Sequence, residues 1–328
     1  MNKISIIFFG STDDSVIVLN KLIASPILES QYEIHICAVV TQPPKPIGRK
    51  QIITPTPVEI WAKAHDISVL SFPASTEKAW EYADENAVNN ALSTFKADLI
   101  ISASYGQKIP AELLANTPHG GINVHPSILP RWRGADPVPW TIMMDDAQTG
   151  VTIVTLSEKF DQGRIIAQQK IPVVPTDTTD PLRTKLFTLG ADLLIETLPE
   201  YISGKNKGIE QKPELGCYAR KLHRTDGFIP WEVLASATQG VDMPREKRGL
   251  DTLISHMTSH IVQAIVLLHR ALSPWPGLWT ETILSGETKR IKILEIEEKE
   301  NKISIKNVQV EGKTPTSWKQ FEEGYSKK

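Results

Sequence analysis

Residues 4–25 read I-S-I-I-F-F-G-S-T-D-D-S-V-I-V-L-N-K-L-I-A-S. The apolar run 4–9 leads through Gly10, Ser11 and Thr12 into a segment whose apolar side chains recur at helical spacing. Val16, Leu19, Leu22 and Ile23 fall on one face of a helix over 14–25. Buried strand, turn, amphipathic helix is the opening unit of an α/β sheet. The turn also narrows the ligand. It has a single glycine and two acids, Asp13 and Asp14, where G-x-G-x-x-G would cradle a pyrophosphate. The chain holds no G-x-x-x-x-G-K-[ST] loop either, which argues against NAD and ATP.

The same alternation continues outward through the first 200 residues. Strands are predicted at 33–41, 69–72, 98–102, 121–124, 151–156 and 164–171. Helices are predicted at 57–65, where Pro57 stands at the start, and at 77–94, 110–116, 136–145 and 178–198. The stretch 33–41 is almost continuously apolar, as a parallel strand covered on both faces should be. The expected fold is α/β: a doubly wound, mostly parallel sheet with helices on both sides. Residues 201–216, rich in Gly, Lys, Glu and Pro, read as a linker between a first domain, 1–204, and a second, 205–328. In the second, strands are readable at 279–283, 290–296 and 303–310, and the polar run M-P-R-E-K-R-G-L at 243–250 reads as an exposed loop.

At 328 residues, 41% hydrophobic and 23% charged, the chain is long enough for about two domains with substantial cores. A net charge of −2 does not mark a nucleic-acid binder, so any RNA contact must rest on local patches. Two cysteines, Cys37 and Cys217, do not suggest a disulfide framework, no C-x-x-C spacing is present, and no metal site is expected. The opening apolar run is too short for a signal peptide or a membrane span. A soluble cytoplasmic protein without a metal is expected.

The chemistry concentrates in G-I-N-V-H-P-S-I-L-P-R-W-R-G at 121–134. Asn123 and His125 lie two apart on a strand, hence on the same face. An amide donor beside a titratable imidazole at a strand end can hold a carbonyl oxygen that is becoming negative. Taken alone, the pair reads more readily as two satisfied polar residues at a strand end. Asp161 taken alone reads as a turn former ahead of Gly163. Ser127 lacks G-x-S-x-G context and reads as a hydrogen bonder in its loop, not as a nucleophile.

With its flanks, this string resembles the signature of the folate-dependent formyltransferase family. Further resemblances follow in order over about 280 residues: F-F-G-S-T-D-D-S at 8–15, V-T-Q-P-P-K-P-I-G-R-K at 40–50, S-Y-G-Q-K-I-P at 104–110, L-S-E-K-F-D-Q-G at 156–163 and S-P-W-P-G-L-W-T at 273–280. The resemblance implies a catalytic set of Asn123, His125 and Asp161. It implies 10-formyltetrahydrofolate as formyl donor, in a slot formed by Tyr105, Gly106, Gln107, Ile109 and Pro110 with Ser127, Ile128, Leu129 and Pro130. Main-chain groups would read the pteridine edge, so Gln107 and Lys108, where relatives often have apolar residues, are compatible with it. Tyr105 is equally readable as core packing.

The acceptor implied is initiator methionyl-tRNA. Lys45, Arg49 and Lys50 would meet it from a Pro/Gly loop at 45–52, which composition alone reads as a solvated charged loop. Arg131 and Arg133 would add phosphate contacts or orient the active-site loop. The second domain would be a smaller, OB-like β-barrel that grips tRNA. Here it looks reduced, with about 50 residues after Pro276, an insertion near 237–255, and ten Lys or Arg against seven Glu from Lys289 onward. A monomer is expected. Two other readings stay open at this stage: formyl transfer to an amino sugar nucleotide by the same triad, and a non-catalytic tRNA-binding relative.

Overall fold

A computed structural model of the chain describes residues 2–25, 32–48, 50–249, 252–257, 260–284 and 286–325. The chain divides into two compact units. The first comprises Met1–Pro137, Gln148–Pro172 and Arg183–Ala219, and the second Val138–Ala147, Val173–Leu182 and Arg220–Lys328.

The first unit is built on strands β1 (Asn2–Phe9), β2 (Tyr32–Thr41), β3 (Lys45–Ile47), β4 (Ile52–Thr54), β5 (Ser68–Ser71), β6 (Leu99–Ala103), β7 (Gly121–His125), β8 (Arg133–Gly134), β9 (Gln148–Thr155), β10 (Ile165–Pro172) and β11 (Tyr218–Ala219). The helices in the same span are α1 (Asp13–Ile23), α2 (Pro57–Ala64), α3 (Glu85–Ser93), α4 (Ala111–Ala115), α5 (Pro137–Met143) and α6 (Thr179–Ile202). Seven strands form one sheet in the order β10-β9-β7-β6-β1-β2-β5. From β7 to β5 all pairings are parallel; β9 pairs antiparallel with both β7 and β10. The predicted doubly wound, mostly parallel sheet is present.

Strand β1 shows why its sequence turns wholly apolar from Ile6 to Phe9. Ile4, Ile6 and Phe8 join one core layer with Val18, Leu19 and Leu22 of α1. Ile7 and Phe9 join the opposite layer with Val88 and Leu92 of α3. Burying each such side chain contributes roughly 1.5–3 kcal/mol, so both faces of the strand are committed. Gly10 is required by close packing, not by a phosphate: a Cβ there would lie 2.6 Å from Ser15 Cβ. The Ser15 hydroxyl accepts from the backbone N–H groups of Ser11 and Thr12 and donates to the Ala103 carbonyl at 2.7 Å, which ties the turn to β6.

Three local expectations are corrected. The helix read at 77–94 exists only as α3, because Asp84 caps it by accepting from Ala87 N and Tyr82 turns inward to the core. Residues 45–48 and 50–52, read as irregular, belong to the β3–β4 hairpin, which has Gly48 and Gln51 at positive φ. Residues 203–219, which include most of the stretch read as a linker, are part of the first unit: Ile209 pairs with Ile165, and β11 pairs with β8.

The second unit carries α7 (Trp231–Gln239), α8 (Leu253–His256), α9 (Ile261–Ala271), β12 (Leu278–Leu284), β13 (Glu287–Lys299), β14 (Lys302–Val310), β15 (Thr316–Ser317) and α10 (Trp318–Tyr325). The strands form an antiparallel sheet in sequence order. The run at 243–250 is not simply an exposed loop. Arg248 is buried and donates to the carbonyls of Met243 and Met257, and Leu253 and Ile254 just beyond it are core residues.

Candidate active site

The polar residues of 121–134 emerge where β7 ends. Ile122 and Val124 are buried in the core, so Asn123 and His125 share the opposite face of the strand. His125 is buried and Asn123 half-buried. The neighbouring strands fix their level, with Asn123 opposite Ser102 and Val154, and His125 opposite Thr152.

Asp161 reaches them from the loop between β9 and β10. Its Oδ1 lies 3.4 Å from His125 Nδ1 and 3.5 Å from Asn123 Nδ2. Its Oδ2 accepts from Gly134 N at 2.8 Å. The loop bends sharply at this point, with Asp161 at φ +55, a conformation that aspartate tolerates better than most residues. Gly163 is obligatory there, since a Cβ would stand 1.8 Å from the Thr155 carbonyl oxygen. On the other side of the imidazole, Nε2 lies 2.9 Å from the Trp132 carbonyl oxygen. Both ring nitrogens therefore face oxygen atoms of neighbouring groups. Trp132 itself sits at φ +60, a strained conformation for a bulky residue.

The loop after β7 is braced from beneath. Thr152 Oγ1 donates to the Ser127 carbonyl at 2.7 Å and accepts from Leu129 N at 3.2 Å, while Gln168 Nε2 donates to the Leu129 carbonyl at 2.8 Å. Ser127 is fully buried, and its hydroxyl donates to the Arg131 carbonyl, in keeping with its reading as a loop hydrogen bonder. Ile128 and Pro130 are half-buried and Leu129 is buried.

In the loop 104–110, Gly106 is exposed, Tyr105 half-buried, and Gln107, Ile109 and Pro110 are buried. The Tyr105 hydroxyl donates to Gln107 Oε1 at 3.1 Å and lies 2.8 Å from the Tyr82 hydroxyl. Burial pushes both phenols above their ordinary value. Gln107 Nε2 is buried and has no hydrogen-bond partner among the described residues.

The five basic residues read as tRNA contacts separate. Lys45 and Lys50 are exposed on the hairpin, with Lys45 Nζ donating to Gln42 Oε1. Arg49 lies outside the described residues. Arg131 is exposed, its guanidinium 4.4 Å from the centroid of the Trp132 ring. Arg133 is buried, with Nε and Nη2 on Gln211 Oε1 at 3.0 and 2.7 Å, which fits the loop-orienting alternative and not a phosphate contact. Thr152, Gln168 and Gln211 were not singled out from the sequence, because none sits in a local pattern that marks it.

Comparison with known proteins gives a consistent picture. Residues 3–198 match the family described as formyl transferase. A methionyl-tRNA formyltransferase of Listeria monocytogenes serotype 4a is 36% identical over 282 residues, covering 86% of this chain and 81% of that protein. One from Geobacillus sp. strain WCH70 is 40% identical over 247 residues, covering 75% and 71%. Among solved structures, a sugar N-formyltransferase from a Shewanella species superposes with a TM-score of 0.54 at 18% identity, covering 87% of this chain and 95% of that one. HypX from Aquifex aeolicus gives 0.59 at 15% identity, covering 98% and 49%. These two likenesses bear on the fold alone.

Proposed function

The chain belongs to the formyl transferase family, and on that footing we propose that it moves the formyl group of 10-formyltetrahydrofolate onto the free amino group of initiator methionyl-tRNA, supporting translation initiation. The observation that carries this reading is the convergence of His125 and Asn123 on one carboxylate oxygen of Asp161, at 3.4 and 3.5 Å, where β7 ends. The donor slot lies between the loop 104–110, the loop 127–130 and the approach to Asp161. The buried, unpartnered Gln107 amide fits a pteridine edge that carries acceptors, since leaving such a donor unpaired costs about 1–3 kcal/mol.

Formyl transfer needs stabilisation of an oxyanion and removal of a proton. When the amine attacks the formyl carbon, the carbonyl oxygen gains negative charge and the nitrogen positive charge. The Asn123 amide donates to that oxygen, and the His125 ring does so by turning Nδ1 from its long 3.4 Å contact with Asp161, each such donor being worth about 3–4 kcal/mol in comparable sites. Asp161 steadies the ring in its cationic form and takes the proton released by the amine through water. The long contacts within the triad leave its donors able to tighten on substrate. No covalent intermediate on the protein is required, and Ser127 is already committed to its own loop.

Lys45 and Lys50, on the β3–β4 hairpin, and Arg49 contact the tRNA backbone, with Arg131 at the rim of the site. The protein works as a monomer, because one chain carries the whole triad, and in the cytoplasm, where charged tRNA is found. No helix among the described residues is long and apolar enough to cross a membrane. The deciding experiment offers formyl donor with one of three acceptors: initiator methionyl-tRNA, elongator methionyl-tRNA or an amino sugar nucleotide. Formylation confined to the first supports the reading; formylation of the sugar nucleotide alone overturns it.

A further inference from the structure

One side chain in the stretch 203–219 bridges the segment that follows β7 and the loop that carries Asp161. Gln211 Oε1 accepts from Arg133 Nε and Nη2, at 3.0 and 2.7 Å. Its Nε2 donates to the backbone carbonyls of Asp161 at 2.7 Å and Gly163 at 2.9 Å. An amide side chain has two donors and two acceptor lone pairs, and here all four are used. Three chain segments meet in that one group: the loop after β7, the loop between β9 and β10, and the stretch containing Gln211 itself.

The same stretch continues to the other side of the imidazole. The Cys217 carbonyl accepts from Arg133 N at 2.9 Å, and Cys217 Sγ lies 3.3 Å from Trp132 N. Trp132 in turn presents the carbonyl facing His125 Nε2. The backbone behind Asp161 and the backbone behind the acceptor of His125 are thus held by a single run of residues. Two residues in this assembly, Asp161 and Trp132, have positive φ, a conformation that persists only where the surroundings enforce it.

We propose that Gln211 is a positioning residue for formyl transfer: through the carbonyls of Asp161 and Gly163 it sets where the Asp161 carboxylate stands relative to His125. This rests on the formyl-transfer reading of the site. The distance under control, 3.4 Å between His125 Nδ1 and Asp161 Oδ1, is already long, so a small displacement removes the contact.

Two variants of the full chain separate positioning from general support. Gln211→Ala deletes both halves of the bridge. Gln211→Glu keeps oxygens for Arg133 and so retains that anchor, but has no donor for the carbonyls of Asp161 and Gly163. Both should lower kcat by about 10- to 100-fold with KM for donor and acceptor within about twofold, the pattern of a misplaced catalytic group. The thermal midpoint of Gln211→Glu should stay close to wild type. In Asp161→Asn the loss from adding Gln211→Ala should shrink toward nothing, because the carboxylate being positioned is gone. The proposal is overturned if either single variant keeps wild-type kcat, or if the losses multiply in the double variant. A wild-type chain that transfers no formyl group overturns the functional reading, and this role with it.

Discussion

At the scale of single residues, the site rests on three side chains whose types fit one task, and each should prove indispensable. Asn123→Ala, His125→Ala and Asp161→Ala should each reduce turnover by at least about a hundredfold while folding normally, the size expected for a positioned donor or base. Steady-state kinetics on the purified variants checks this; full activity in any one removes that residue from the mechanism. Gly163→Ala should act differently, by forcing a Cβ into the Thr155 carbonyl and displacing the Asp161 loop. It should lower the thermal midpoint and kcat together. The triad was read from the family resemblance, carried by the long string around Asn123 and His125 and by L-S-E-K-F-D-Q-G around Asp161, because neither the pair nor the aspartate is decisive alone. Gln211 was not, since a glutamine in a polar stretch has no local signature. Its meaning comes from carbonyls about 50 residues earlier that only the fold brings to it.

At the scale of elements, the β3–β4 hairpin is the segment proposed to meet tRNA. It carries Lys45 and Lys50 in solvent beside the exposed Ile47, Ile52 and Ile53. Lys45→Ala with Lys50→Ala, and separately Arg49→Ala, should raise KM for tRNA and flatten its salt dependence by roughly one unit for each phosphate no longer neutralised. Donor affinity, measured by titration, should stay put; an equal loss there would assign the hairpin to the other substrate. Pro46 and Gly48 suggested an irregular loop, but the hydrogen bonds of a short hairpin accommodate proline on an edge, which local punctuation cannot reveal. The helix read too long at 77–94 has a similar origin, because inward packing of Tyr82 outweighs propensity.

A second element-scale prediction concerns the 3₁₀ turn Arg224–Gly227. Partial burial alone would raise the Asp226 carboxyl, yet the paired Arg220 guanidinium and the His223 N–H hold it below the usual carboxylate range. A carboxyl lower in the folded state stabilises above its unfolded value, near 3.9, and that contribution is lost as pH falls through the folded value. Asp226→Asn should therefore lower the thermal midpoint at neutral pH, with the gap to wild type closing in strong acid. A constant gap would show that the carboxylate's charge is not what matters.

At the scale of the whole molecule, the chain does not divide at one point. The second unit takes back Val138–Ala147 and Val173–Leu182, and within it Arg270 donates to the carbonyls of Asp177 and Val174 and Trp140 Nε1 to the Arg220 carbonyl. A cut near residue 205, where composition changes, would remove Gln211 and Cys217. A cut after Ala219 spares them but strips the two returning segments of their partners. Truncation after Ala219 should thus lower the thermal midpoint as well as weaken tRNA use, and an unchanged melting curve would contradict it. Composition marks the change in solvent exposure along a chain, not the return of an earlier segment to a later core, so this interleaving was not legible. The account as a whole is tested most directly by a single-turnover reaction of enzyme, 10-formyltetrahydrofolate and initiator methionyl-tRNA, with the formyl group followed onto the methionine amino nitrogen. Rapid N-formylation by the wild type, slowed at least about a hundredfold in His125→Ala, is the predicted result. No formylmethionyl-tRNA from folded wild-type protein, or an equal rate in the variant, would contradict it.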